Sequence, residues 1–206
     1  MKRRFKMTSV YFVRHAQSDH DWRDDRTRPL TTEGKEDSQK VCEAMRNIKL
    51  DCAFSSPYLR SIDTIRECAA EHGLEIITDE DFRERKKGNG GNVYGMFQKR
   101  WADFEFAEDG RENLRDTQER NVNALFRILD KHCGENVLIG THGTALSTIL
   151  NYFDNSYGCD DFLRIIDFMP YIIRFDFDGR ECVGKEEILI VKKGYKGKNR
   201  ADKNKF

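Results

Sequence analysis

The sequence predicts an α/β domain: three α/β/α layers on a mainly parallel sheet, closed by an antiparallel hairpin and carrying a small lid. Three observations predict it. Short apolar runs alternate with amphipathic helical patterns, which is the signature of βαβ units. The alternation fails once, over residues 86–112, and it changes character after residue 170. The chain has 206 residues, enough for one domain with a substantial core.

The elements follow in order. Val10 to Val13 form a run apolar on both faces, as in a strand covered on both sides. After Pro29-Leu30-Thr31-Thr32, the positions Val41, Ala44, Met45 and Ile48 repeat at i, i+3, i+4 and i+7, a helix. Cys52–Ser55 reads as a short buried strand that breaks at Ser56-Pro57 into a helix bearing Leu59, Ile62, Ile65 and Ala69. Leu74 to Thr78 is the next strand. Residues 86–95 (KKGNGGNVYG) are glycine-rich, and 96–112 hold aromatics without clear periodicity, so 86–112 is read as the lid. A long helix then carries Val122, Leu125, Phe126 and Leu129 on one stripe. Asn136 to Gly140 is a strand, and Leu146, Ile149, Leu150 and Phe153 mark the helix after it. Tyr171 to Phe177, the turn signal Asp178-Gly179 and the run Ile188 to Val191 read as a hairpin. The domain is bounded at residues 8–191, between two basic tails.

Charge is distributed unevenly although it sums to zero. Residues 1–7 hold four basic residues and no acid, and residues 192–206 hold seven basic and one acid; without them 36 and 36 become 25 basic and 35 acidic. Such tails are expected to be solvated ends. Neither interleaves aromatics in a stacking pattern, so no nucleic-acid partner is expected. No run approaches membrane-spanning length, and the basic start lacks an apolar signal region. The six cysteines are scattered, without CxxC or metal-ligand spacing, and read as small buried hydrophobes. The expectation is a cytoplasmic, reduced protein with no membrane partner, no cofactor and no metal.

Chemistry gathers at strand ends. The first strand ends in Arg14-His15. The second ends in Ser55-Ser56, with Arg60 one turn into the next helix. The strand Asn136 to Gly140 runs into Thr141-His142-Gly143. Parallel strands converge at their carboxyl edge, so two arginines and two histidines are expected to line one pocket. Guanidinium forks and helix N-termini suit a phosphoryl dianion. His20, His72 and His132 lie in polar contexts and read as surface residues.

The ordered pieces VRHAQS, PLTTEGKEDSQ, SSPYLRSIDT, the FRE before the glycine-rich stretch, and IGTHGTAL resemble the histidine phosphatase superfamily, the phosphoglycerate-mutase-like group, over roughly residues 10–180. The resemblance implies a metal-independent phosphomonoester hydrolase working through phosphohistidine on His15. Arg14, Arg60 and His142 would grip the phosphoryl oxygens, and Glu84 would be the proton donor. Asp79, Glu80 and Asp81 are its competitors. Ser18, Asp21 and Gly143 complete the expected phosphate-binding set. This sequence departs from the family pattern at Ala16 for glycine, at Asp21 for asparagine and at Val93-Tyr94-Gly95 for Trp-Glu-Gly. A carboxylate at Asp21 would repel the dianion unless it turns away or pairs with an arginine such as Arg23. The implied partner is a small phosphate ester, with a phosphoprotein as the alternative. A phosphoglycerate mutase and a non-catalytic phospho-ligand module are the rival readings. Trp101, Phe104, Phe106, Arg111 and Arg115 are placed to read the leaving group, or to pack the core. Neither substrate nor oligomeric state is legible.

Overall fold

A computed structural model describes residues 6–86, 94–109 and 111–194. Most of both basic tails and the glycine-rich residues 87–93 lie outside the described residues. Among the described residues six strands form one sheet: β1 (Thr8–Arg14), β2 (Cys52–Ser55), β3 (Ile76–Thr78), β4 (Asn136–Thr141), β5 (Phe168–Asp178) and β6 (Glu181–Lys192). Their order is β3-β2-β4-β1-β5-β6, parallel from β3 to β1 and antiparallel across β1, β5 and β6. The expected mainly parallel sheet with a closing hairpin is what forms.

Helices cover both faces. Val10 and Phe12 of β1 point into a core shared with α4 (Leu114–Lys131) and α5 (Gly143–Phe153). Tyr11 and Val13 point the other way, against α1 (Thr32–Met45) and α2 (Leu59–Glu71). That is the period-2 alternation of a strand buried twice. Each fully buried side chain of this kind contributes roughly 1.5–3 kcal/mol, so both layers are firmly held. Burial alone would not set the register of a strand apolar on both faces. The polar residues that end it do. The Arg14 guanidinium donates to the carbonyls of Ile165 and Phe168, contacts that a one-residue slip would break.

Two helices were not legible as such. α3 (Tyr94–Ala102) occupies part of the expected lid, and α6 (Cys159–Ile165) precedes β5. Both are short, nine and seven residues, and marginal in isolation. They stabilise one another through Phe97 on Phe162, ring centroids 5.1 Å apart, and Trp101 on the same ring at 5.6 Å. At the start of α1, Thr31 caps the helix by accepting from the Gly34 amide. A Cβ on Gly34 would lie 2.1 Å from the Gln17 carbonyl oxygen, so the glycine of PLTTEG lets α1 pack on the strand-end loop.

Candidate active site

The β-ladder builds the site. Arg14 pairs with Thr141 across β1 and β4, so His15 and His142 leave adjacent strands side by side. The His15 amide donates to the Thr141 carbonyl at 3.1 Å, and the two rings stand edge-to-face, 5.3 Å apart. Ser55 pairs with Gly140 across β2 and β4, which brings the Ser56 hydroxyl to 2.7 Å from His142 Nε2. Arg60, in the first turn of α2, is 2% exposed and enters the same cleft.

His15 is held as a neutral imidazole of known tautomer. Its Nδ1 lies 2.7 Å from the Ala16 carbonyl, which can only accept, so Nδ1 carries the proton and Nε2 keeps its lone pair. Burial and then the charges of Arg60 and Arg14 push its pKa well below the usual histidine value. His142 is lowered likewise by burial, by Arg60 and by His15. Its Nδ1 is buried and meets no acceptor or donor among the described residues, nor does Arg60 Nε. A buried polar atom without a partner costs about 1–3 kcal/mol. Of these two residues, Arg60 lines the cleft.

Arg14, His15, Arg60, Glu84 and Gly143 all line this cleft. Gly143 opens α5 beside Arg14, where a Cβ would come within 3.2 Å of the guanidinium Nε. His142 packs behind His15. Glu84 accepts from the amides of Thr144 at 3.1 Å, Ala145 at 3.2 Å and Arg85 at 2.8 Å, so it caps α5 in place of a side-chain N-cap. Its competitors are engaged elsewhere. Asp79 and Asp81 pair with Arg127, and Glu80 with Arg26 at 2.5 Å. None of the three lines the cleft.

Ser18 and Asp21 stand apart from this group. They line a neighbouring recess that shares only His20 and Met169 with the cleft. Ser18 is buried by its bridge to Leu30, and Asp21 turns out to solvent. The Asp21 carboxylate is therefore not among the groups facing His15, which meets the objection that it would repel a dianion. Val93 lies outside the described residues.

Three cationic or titratable residues of the cleft, Arg28, His20 and Arg85, lie outside the set the sequence predicts. Arg28 donates to Asp25, which also stands 3.5 Å from Arg60, so one carboxylate bridges two arginines. His20 was expected at the surface; it is half-buried in the cleft, with Nδ1 3.2 Å from Arg28 Nη1. Arg85 is buried beside Glu84 and donates to the Glu112 carbonyl at 2.9 Å. Adjacency to Glu84 was a usable signal for Arg85. Arg28 and His20 are brought in only by the path of the loop. Phe97, Phe162, Ile166 and Met169 form an apolar outer wall. Trp101 packs on Phe104, Tyr157 and Phe162, and Arg115 stacks on Phe104, so these belong to packing.

Fold and site together define an α/β protein with a strongly cationic cleft at the carboxyl edge of its sheet. The chain belongs to the histidine phosphatase superfamily (branch 1), whose sequence profile matches residues 10–183. It is similar to phosphoglycerate mutase-like protein 4 of Arabidopsis thaliana, 31% identical over 134 residues, a match that spans 58% of each chain. It is also similar to a 2,3-bisphosphoglycerate-dependent phosphoglycerate mutase of Gloeobacter violaceus, 28% identical over 72% of this chain and 77% of that one. Among solved structures it shares its fold with a mycobacterial glucosyl-3-phosphoglycerate phosphatase, at a TM-score of 0.72 and 14% identity. That match covers 91% of this chain and 100% of the other. Among the described residues no helix is long and apolar enough to cross a membrane.

Proposed function

We propose that this chain is a metal-independent phosphomonoester hydrolase that works through a phosphohistidine on His15. The observation that carries the reading is the His15 tautomer: Nδ1–H is spent on the Ala16 carbonyl, and a neutral Nε2 is left among arginines in the cleft. Nε2 attacks phosphorus in line, and the phosphorus–oxygen bond to the leaving group breaks. Arg14, Arg60 and Arg28 take up the charge on the equatorial oxygens, with His142 Nδ1 as a further donor. Glu84 gives its proton to the leaving alkoxide. It then accepts one from the water that attacks the phosphohistidine, and inorganic phosphate departs.

The substrate is a small phosphate ester whose carbon skeleton rests on the apolar wall of Phe97, Phe162, Ile166 and Met169. Six free thiols suit a reducing compartment such as the cytoplasm. A mutase is the second reading, because the two sequence relatives above carry mutase names. It would use the same phosphohistidine but return the phosphoryl group to substrate.

One experiment separates the readings. A panel of sugar phosphates, nucleotides, phosphoserine, phosphopeptides and 3-phosphoglycerate, the last with and without 2,3-bisphosphoglycerate, is assayed in EDTA. Inorganic phosphate release from a small ester is expected, with an acid-labile phosphoenzyme on rapid quench that is absent in His15→Ala. Isomerisation of 3-phosphoglycerate without phosphate release would make it a mutase. Label on an acid-stable residue would overturn the mechanism.

A further inference from the structure

At the opposite edge of the sheet, three donors from distant parts of the chain converge. Cys52 begins β2, His132 ends α4 and Glu135 precedes β4. Cys52 Sγ lies 3.5 Å from His132 Nδ1 and 3.9 Å from Glu135 Oε2, and those two atoms are 2.7 Å apart. We infer that these residues form a divalent-metal site of the zinc class, with a solvent molecule as the fourth ligand.

Geometry carries the inference. Tetrahedral zinc holds sulfur at about 2.3 Å and nitrogen or oxygen at about 2.0–2.2 Å, so neighbouring S and N, or S and O, stand about 3.5 Å apart and N and O about 3.3 Å. The observed triangle already approximates one face of that tetrahedron, and a small turn of the Glu135 side chain, 41% exposed, closes the difference. The donor set of thiolate, imidazole and carboxylate is one that zinc accepts.

Hydrogen bonds already draw the three side chains together. An i, i+3 ion pair explains His132 and Glu135. The thiol donates to the same carboxylate across a long 3.9 Å, so the three donor atoms are drawn to one place. Three donor atoms of metal-ligating type within 3.9 Å of one another make a ligand set. Backbone bonds hold the ligands in place: the Ser9 amide donates to the Glu135 carbonyl at 3.0 Å, and the Asp51 amide to the Asn136 carbonyl at 2.9 Å.

The site lies one strand-length from the chemistry, about 20 Å for the six residues of β4. Its role is a clasp joining α4, β2 and β4, independent of the proposed phosphoryl transfer. Binding replaces the Cys52 proton with the metal and releases that proton to solvent.

Metal-free protein is titrated with Zn²⁺, and separately with Co²⁺ as an optical probe. One equivalent is expected to bind, cobalt giving a thiolate charge-transfer band. Zinc at 100 times its Kd should raise Tm by roughly 5–10 °C. Band and Tm shift should both be lost in Cys52→Ser and in His132→Ala, and kept in Cys133→Ser, the neighbouring exposed thiol, and in His15→Ala. Cobalt binding without a thiolate band, or zinc binding that survives Cys52→Ser but not His15→Ala, would place the metal elsewhere and overturn the assignment. So would failure to bind zinc at all.

Discussion

Glu84 has to serve two neighbours. Its carboxylate caps α5 through the Thr144 and Ala145 amides and accepts from the Arg85 amide, and in the proposed mechanism the same oxygens trade a proton with substrate and water. Glu84→Gln separates these duties, since the amide oxygen can still accept from Thr144 or Ala145 but the side chain cannot act as an acid. Alkyl phosphates should slow by about 10² to 10⁴, the usual range for general acid catalysis. An aryl phosphate, whose phenolate leaves unaided, should slow far less in the first step. Dephosphorylation still lacks its base, so phosphohistidine should accumulate as a burst in rapid-quench traces. Equal slowing of both ester classes without a burst would mean that another carboxylate does the work.

Elements place Glu84 as much as its own contacts do. Glu112, just before α4, accepts from Arg83 at 2.8 Å and Arg120 at 2.6 Å, while Arg120 Nη1 also donates to the carbonyls of Asp81 and Arg83. Next to it, Glu108 pairs with Arg85 and Arg100. These ion pairs rivet the loop carrying Glu84 onto α4 and onto the segment after α3. Burial pushes the Glu112 carboxyl up, but the bonds from Arg120 and Arg83 outweigh it and hold it down at about 2. A depressed carboxyl contributes stability that is present above about pH 4.5 and lost as pH falls toward 2. Glu112→Gln should therefore cost about 3 kcal/mol at neutral pH, as for breaking a buried pair, and flatten urea stability between pH 4.5 and 2. Because Glu84 is displaced with the loop, kcat should fall more for alkyl than for aryl esters. A variant that loses stability but keeps the alkyl rate would uncouple the cluster from Glu84.

For the whole molecule, two buried histidines set the response to pH above that window. His15 and His142 are held below the ordinary value of about 6.5 by burial and by Arg60. Below pH 6.5 the unfolded chain gains protons that the folded one refuses. Their contribution is thus fully present above 6.5 and declines as pH falls toward the folded values, by up to about 3 kcal/mol per pH unit for two protons. Urea midpoints from pH 7.5 to 5 should trace that decline, and His15→Gln should roughly halve its slope. In NMR of the free protein, neither ring should titrate near 6.5. A normal titration of His15 would remove the electrostatic basis for a nucleophile that stays neutral.

Local order made much of this protein readable. The strand runs, the two helical stripes before Leu74, the hairpin at Asp178-Gly179 and the strand-end pairs Arg14-His15 and Thr141-His142 are all encoded within a few residues, as period and punctuation. A parallel sheet then forces those ends to meet. Contacts made over long separations were decided by the tertiary structure alone. α3 and α6 exist because Phe97 and Trp101 find Phe162, some sixty residues away. Arg28 and His20 reach the cleft because their loop doubles back on itself, the Asp19 amide donating to the Pro29 carbonyl, and Ser18 stays out because its bridge to Leu30 buries it beside the cleft. Cys52 shows no ligand spacing, since its partners come eighty residues later, across the amino edge of the sheet. Such placements depend on how faces pack in three dimensions, and neither period nor spacing along the chain carries that information.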